Sequence, residues 1–137
     1  MPTNIGTKDD DVIKGLKFKD LLFGKGGDDK LLGKDGNDVL NGGTGDDKLT
    51  GGAGKDTFVF GGKHSGNDVI TDFNLNKDVI EIAKNMNGIK KPADVLKHAT
   101  QDGHDVVIDL GHGSTLTLKD VKLSDLKKNP GDHFDIT

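Results

Sequence analysis

The chain has 137 residues, 31% of them hydrophobic, no Cys, Trp or Tyr, and a formal charge of −4. Without Cys there is no disulfide scaffold and no thiolate-ligated zinc or iron–sulfur site, and no apolar run approaches the length of a membrane span. The 19 basic residues are all Lys and are scattered, so there is no nucleic-acid-binding stripe. Met1-Pro2-Thr3 leads straight into polar residues without the profile of a cleaved secretory signal. Two counts stand out: 21 Gly, and 22 Asp against a single Glu, Glu81. Gly and Asp are poor helix formers and Glu is the acid that helix surfaces favour, so a helical bundle is disfavoured.

Most of the Gly lie at or before Gly66, and there they fall into a repeat. Six blocks of nine follow one another from Gly6: GTKDDDVIK (6–14), GLKFKDLLF (15–23), GKGGDDKLL (24–32), GKDGNDVLN (33–41), GGTGDDKLT (42–50) and GGAGKDTFV (51–59). Position 1 is always Gly. Position 6 is always Asp: Asp11, Asp20, Asp29, Asp38, Asp47 and Asp56. Position 8 is always large and apolar: Ile13, Leu22, Leu31, Leu40, Leu49 and Phe58. After a three-residue slip, 63–71 (KHSGNDVIT) resumes the phase with Gly66, Asp68 and Ile70.

The glycines at positions 1, 2 and 4 mark a turn, and the last three positions suit a very short strand whose middle side chain points inward. One such strand cannot stand alone, but stacked copies can bury each position-8 residue against the next. Two consecutive blocks, with their two turns and two strands, close one coil of a flattened solenoid, so six blocks give three coils. Stacking also sets one Asp above another at about the inter-strand spacing of 4.8 Å, where like charges repel. Turn carbonyls point into the same space. An oxygen-lined, negative, irregular site suits Ca²⁺ better than Mg²⁺, which demands octahedral geometry.

The blocks resemble the glycine-rich nonapeptide G-G-x-G-x-D-x-U-x of the RTX (repeats-in-toxin, haemolysin-type) proteins, a Ca²⁺-binding repeat. Blocks 42–50 and 51–59 match it throughout; 24–32 and 33–41 depart only at Lys25 and Lys34. The resemblance implies an all-β fold, a calcium-loaded parallel β-roll of two sheets. It further implies about three to five Ca²⁺ ions between turns one coil apart. The site pairs it implies are Asp29 with Asp47 and Asp38 with Asp56, and Asp11 with Asp29 more weakly. The carbonyl ligands it implies come from Gly24, Gly26, Gly27, Gly33, Asp35, Gly36, Gly42, Gly43, Gly45, Gly51, Ala53 and Gly54. Block 15–23, with Phe18 at position 4, departs most and reads as apolar packing or an N-terminal cap, with Asp20 a poor site.

The repeat roll is assigned to 1–62 and the rest, 63–137, to roll-closing strands and a small β-rich cap with one or two short helices. Residues 67–73 and 78–82 read as strands. This stretch resembles the segment that closes the roll in related secreted proteins, where acids matching Asp68 and Asp78 hold a last ion. On their own both are equally ordinary turn acids. Pro92 opens a short helix over 93–99. Alternating Val106, Ile108 and Leu110, then Leu116 and Leu118, flank Gly111-His112-Gly113-Ser114 as a hairpin. Residues 124–128 suit a last helical turn. The tail 132–137 reads either as a frayed terminus or as the acid-plus-apolar ending of a type I secretion signal.

Other chemistries find no support. An EF-hand needs a bidentate acid, normally Glu, at loop position 12, which Glu81 does not supply in register. Gly54-Lys55 is followed by Asp56, so it is no phosphate loop. His104 and His112 flank one strand as turn histidines. There is no catalytic constellation, and the chain reads as a non-catalytic module. Its expected partners are calcium and, by the resemblance, the type I secretion machinery of a Gram-negative bacterium, which would export it without a cleaved signal. The alternative reading is an accessory module for an anionic, alginate-like polysaccharide, bound through the lysines.

Overall fold

A computed structural model describes residues 3–61 and 65–137. The proposed boundary at 62/63 and the terminal Met1-Pro2 lie outside the described residues. After β1 (Thr3–Ile5), the six blocks dictate one strand each: β2 (Val12–Lys14), β3 (Leu21–Phe23), β4 (Lys30–Leu32), β5 (Val39–Asn41), β6 (Lys48–Thr50) and β7 (Thr57–Phe60). From β2 on, each begins at position 7 of its block, where the turn glycines end. The chain winds alternately through two parallel sheets, one coil for every two blocks. Leu22 sits beside Leu40 and Leu40 beside Phe58 in one sheet, Ile13 beside Leu31 and Leu31 beside Leu49 in the other. These position-8 side chains face inward between the sheets, fully buried apart from Ile13, which retains a trace of exposure.

The second half does not merely pack on the roll; it extends both sheets. It comprises β8 (Asn67–Ile70), β9 (Val79–Ile82), β10 (Ala99–Asp102), β11 (Asp105–Gly111), β12 (Ser114–Leu118) and β13 (Phe134–Ile136), with helices α1 (Pro92–Leu96) and α2 (Leu123–Leu126) and 3-10 turns at Met86–Gly88 and Pro130–Asp132. One sheet runs β1-β3-β5-β7-β9-β13; the other runs β2-β4-β6-β8-β12-β11-β10. The result is an all-β, two-sheet parallel solenoid of about four turns.

Several sequence expectations are adjusted. The strands near 67 and 78 are shorter, because Asp72 to Lys77 turn instead of extending. The helix after Pro92 ends at Leu96, since Ala99 enters a strand paired antiparallel with β11. The tail is not frayed. Phe134–Ile136 pairs in parallel with Ile80–Ile82 and buries Phe134, a pairing worth more than the entropy of a free end. His104 and His112 are exposed at opposite ends of β11 and form no joint site.

Candidate metal centre

Because one coil takes two blocks, the turns stack into two columns. The first holds 6–11, 24–29 and 42–47 and ends at Asp68; the second holds 15–20, 33–38 and 51–56 and ends at Asp78. In each column the position-6 aspartates form a ladder. In the first, the Asp11 amide donates to Asp29 Oδ1 at 2.8 Å, Asp29 to Asp47 at 2.8 Å and Asp47 to Asp68 at 2.9 Å. In the second, Asp20 donates to Asp38 at 2.9 Å, Asp38 to Asp56 at 3.0 Å and Asp56 to Asp78 at 2.9 Å. The pairs Asp29/Asp47 and Asp38/Asp56 are thus brought together, as are Asp11/Asp29. Asp68 and Asp78 end the two ladders, although the nine-residue phase has slipped before them.

Within the ladders four carboxylates have only one oxygen satisfied, whereas Asp78 accepts the Asp56 amide on Oδ1 and the Asn74 amide on Oδ2. Oδ2 of Asp29, Asp38, Asp47 and Asp56 is buried without a hydrogen-bond partner. A backbone carbonyl of the next coil faces the same space. A β-carbon placed on Gly33 would lie 2.6 Å from Asp38 Oδ2 and 2.6 Å from the Gly51 carbonyl; one on Gly6 would lie 2.7 Å from Asp11 Oδ2 and 2.7 Å from the Gly24 carbonyl. At Gly24 the crowding atoms are Asp29 Oδ2 and the Gly42 carbonyl. This is why position 1 is invariably Gly: any side chain would fill a cradle of oxygens. The carbonyls of Gly27 and Gly36 likewise abut Gly45 and Gly54 one coil on, both at positive φ. Amides at position 3 bridge the coils, with Thr44 donating to the Lys25 carbonyl at 2.7 Å and Ala53 to the Lys34 carbonyl at 2.9 Å; Asp35 and Ala53 form a parallel bridge.

Electrostatics follow from this packing. Burial, followed by the neighbouring carboxylates, drives Asp38 up to about 6, Asp47 and Asp56 up to about 7 and Asp68 up to about 8, in each case against a lowering backbone hydrogen bond. Asp29 and Asp78 are raised for the same first reason. Buried acid oxygens with no donor, flanked by carbonyls, form a negative space that a cation relieves. The donors are all hard oxygens, the set Ca²⁺ takes. Among the described residues no three His, Asp or Glu side chains cluster as a metal site, so the fit rests on carboxylate pairs supplemented by main chain.

Sequence reasoning missed three things. Asp20 is fully buried within the second ladder, with Oδ1 unpartnered; its position-6 register was the signal, and Phe18 at position 4, with Lys17 and Lys19 beside it, obscured it. Asp72 receives the Gly51 amide on Oδ1 at 2.9 Å and the Gly52 amide on Oδ2 at 2.7 Å. It caps the last turn of the second column and adds a carboxylate that raises Asp56 and Asp78. No sequence signal marked it. Finally, position 5 carries a counter-running ladder. The amides of Asp28, Asp46 and Asn67 donate to Oδ1 of Asp10, Asp28 and Asp46 at 2.7, 2.8 and 2.8 Å. The recurring Asp and Asn at position 5 was its signal.

Fold and site together define a parallel β-roll whose stacked turns present cation-ready oxygen cradles. Residues 5–40 and 32–62 match the family model of the RTX calcium-binding nonapeptide repeat, in four copies, so this stretch of the chain carries that repeat. Among solved structures, the chain is similar to the extracellular lipase LipA from Serratia marcescens, at a TM-score of 0.72 and 30% identity over 90% of this chain. It spans only 19% of that lipase. It is also similar to the AlgE6R3 subunit from the Azotobacter vinelandii mannuronan C5-epimerase, at a TM-score of 0.63 and 25% identity, covering 96% of this chain and 80% of that one. No curated protein matches the chain in sequence.

Proposed function

We propose that this chain is a secreted module that folds when it meets extracellular calcium and thereby supports export and stability of the protein that carries it. The observation behind this reading is the series of buried, unpartnered Asp oxygens repeated from coil to coil. The ions would sit between Asp29 and Asp47, Asp38 and Asp56 and Asp11 and Asp29. Further ions would sit toward Asp68 and Asp78. The carbonyls of Gly24, Gly26, Gly27, Gly33, Asp35, Gly36, Gly42, Gly43, Gly45, Gly51, Ala53 and Gly54 would complete the shells. Bound calcium supplies charge neutralisation that no side chain of the ladders offers. In the cytosol, where calcium is scarce, repelling Asp columns would keep the chain unfolded and suited to threading through a type I export channel; the repeat roll (1–62) would order on the closing half (63–137). Extracellular modules bind with Kd of about 10⁻⁴–10⁻³ M, and a tenfold excess adds about 1.4 kcal/mol per site, so a few sites rival the stability of a small domain. The test is far-UV circular dichroism in EGTA and then in calcium, with calorimetric counting of ions. A full β signal in EGTA sinks the reading.

One observation favours a second reading, an accessory module for an anionic polysaccharide. Lys30 and Lys48 stand side by side in register on the outer face of one sheet, both exposed, a costly arrangement without a counter-charge. NMR titration with anionic oligosaccharides discriminates: shifts confined to that face support it, and none at millimolar ligand removes it.

A further inference from the structure

Four residues before each position-6 aspartate, at position 2 of its turn, stands an amide within reach of that carboxylate. In the turn 6–11 the Thr7 amide donates to Asp11 Oδ2 at 2.6 Å, and in the turn 15–20 the Leu16 amide donates to Asp20 Oδ2 at 2.6 Å. The Asn74 amide does the same for Asp78 Oδ2 at 2.9 Å. Asp94 in α1, outside the ladders, takes the Lys90 amide at the same spacing at 3.0 Å. A short bond from an N–H to a carboxylate is charge-assisted and strong. It leaves that oxygen with little unmet charge.

The four middle turns have the same spacing but not the bond. Oδ2 of Asp29, Asp38, Asp47 and Asp56 is buried without a partner, and each of these residues is 3% exposed or less. At Asp29 and Asp38 it faces the position-1 carbonyl of the next coil. The difference lies in the residue that carries the amide. Lys25, Lys34, Gly43 and Gly52 all have a positive φ, between 72° and 86°, whereas Thr7, Leu16, Asn74 and Lys90 do not. For Lys25 and Lys34 that conformation is strained, because both carry a β-carbon. Two of the amides are also engaged elsewhere. Gly43 donates to Asn41 Oδ1 at 3.0 Å, and Gly52 donates to Asp72 Oδ2 at 2.7 Å.

We propose that the position-2 amide gates each calcium cradle, and that Asn41 and Asp72 are positioning residues that hold two of the gates open. The gate rests on the calcium reading above and adds an order of filling to it. An N–H dipole and a cation seek the same lone pairs, so an oxygen that already holds a short N–H bond gains less from an ion. The cradles headed by Asp29, Asp38, Asp47 and Asp56 fill first. Those headed by Asp11 and Asp20 fill later, because a hydrogen bond must break before the ion enters. Asn41 and Asp72 act through the amides they engage.

The test counts bound calcium by equilibrium dialysis over a series of free calcium concentrations, all high enough to keep the chain folded by circular dichroism. Proton–nitrogen correlation spectra are recorded alongside. The expected count is four in the first step, one for each unpartnered Oδ2, with further ions only at free calcium at least about tenfold higher. The Thr7 and Leu16 amide resonances should move in the second step and not in the first. Asn41→Ala and Asp72→Ala release the Gly43 and Gly52 amides. Each should shift one ion from the first step to the second, with the freed amide moving to the carboxylate-bound position that Thr7 and Leu16 occupy. Asn41→Asp keeps the acceptor oxygen and should restore the count. Leu16→Gly admits positive φ and should bring the Asp20 ion into the first step. All cradles filling together, folded alanine variants with the full first-step count, or no gain in Leu16→Gly overturns the gate while leaving the calcium reading intact. Binding of no calcium at all overturns that reading and the gate with it.

Discussion

The two halves of this molecule use the same acid in opposite ways. In the repeat roll the aspartates are buried among one another and their acidities are weakened, Asp68 at the seam most of all, up to about 8. In the closing half they behave as ordinary stabilising anions. Asp94 accepts the Lys90 and Lys91 amides at the start of α1 and pairs with Lys97 at 3.2 Å, and its carboxyl is held below the usual range. Asp105 accepts the Asp120 amide, pairs with Lys119 at 3.1 Å and is likewise lowered. The apolar content divides in the same way. Strands β2 to β6 each bury one central side chain, whereas the closing half packs Ile80, Ile82, Ile89, Val95, Val106, Ile108, Leu110, Leu116, Leu118, Leu126 and Phe134 into the core. One half carries its stability in its own side chains; the other leaves an electrostatic debt for a ligand to settle.

The largest expected effect is a split response to chelation. In EGTA, hydrogen exchange should accelerate most through β2–β7, while β11 and β12 keep more of their protection; equal loss in both halves would erase the contrast. Next is acid. The ladder aspartates are raised in the fold, so their contribution to the metal-free roll is fully present below the ordinary value of 3.8 and is lost as pH rises through about 6 to 8. In EGTA, the β signal should therefore grow as pH falls from 8 toward 4, and a flat profile would count against buried carboxylates as the obstacle. Calcium binding near neutral pH should correspondingly release protons.

Smaller effects separate the halves further. Phe134→Ala empties a fully buried site and should cost about 3–5 kcal/mol, lowering Tm with little change in calcium stoichiometry. Asp47→Asn does the reverse. Asp47 lies between Asp29 and Asp68 in the first ladder, so its loss should remove up to two ions by calorimetry and raise the calcium midpoint. At a tenfold excess over Kd, each lost site removes about 1.4 kcal/mol. If Asp47→Asn lowered Tm with an unchanged ion count, the ladder would be structural only.

Much of the roll was legible because its determinants are local. Gly at position 1, Asp at position 6 and an apolar residue at position 8 fix turn, ladder and strand within a single block, and β2 to β7 begin where that phase places them. What was obscure depended on partners remote in sequence. Asp20 reads as compromised by Phe18 with Lys17 and Lys19 beside it, yet its amide donates to Asp38 one coil later. Asp72 is meaningful only because the last second-column turn ends without another repeat above it and leaves the Gly51 and Gly52 amides to be capped. The tail reads as loose because nothing local holds it; the distant strand β9 does.

By itself, then, the sequence determined the period, the inward residue of each strand and the pairing of aspartates two blocks apart, because a regular coil converts sequence distance directly into spatial contact. The tertiary structure alone decided how the regularity stops. It recruits Asp68, Asp72 and Asp78 to the column ends after the phase slips and adds β12 and β13 to the two sheets, since this end is set by long-range packing that no local motif encodes.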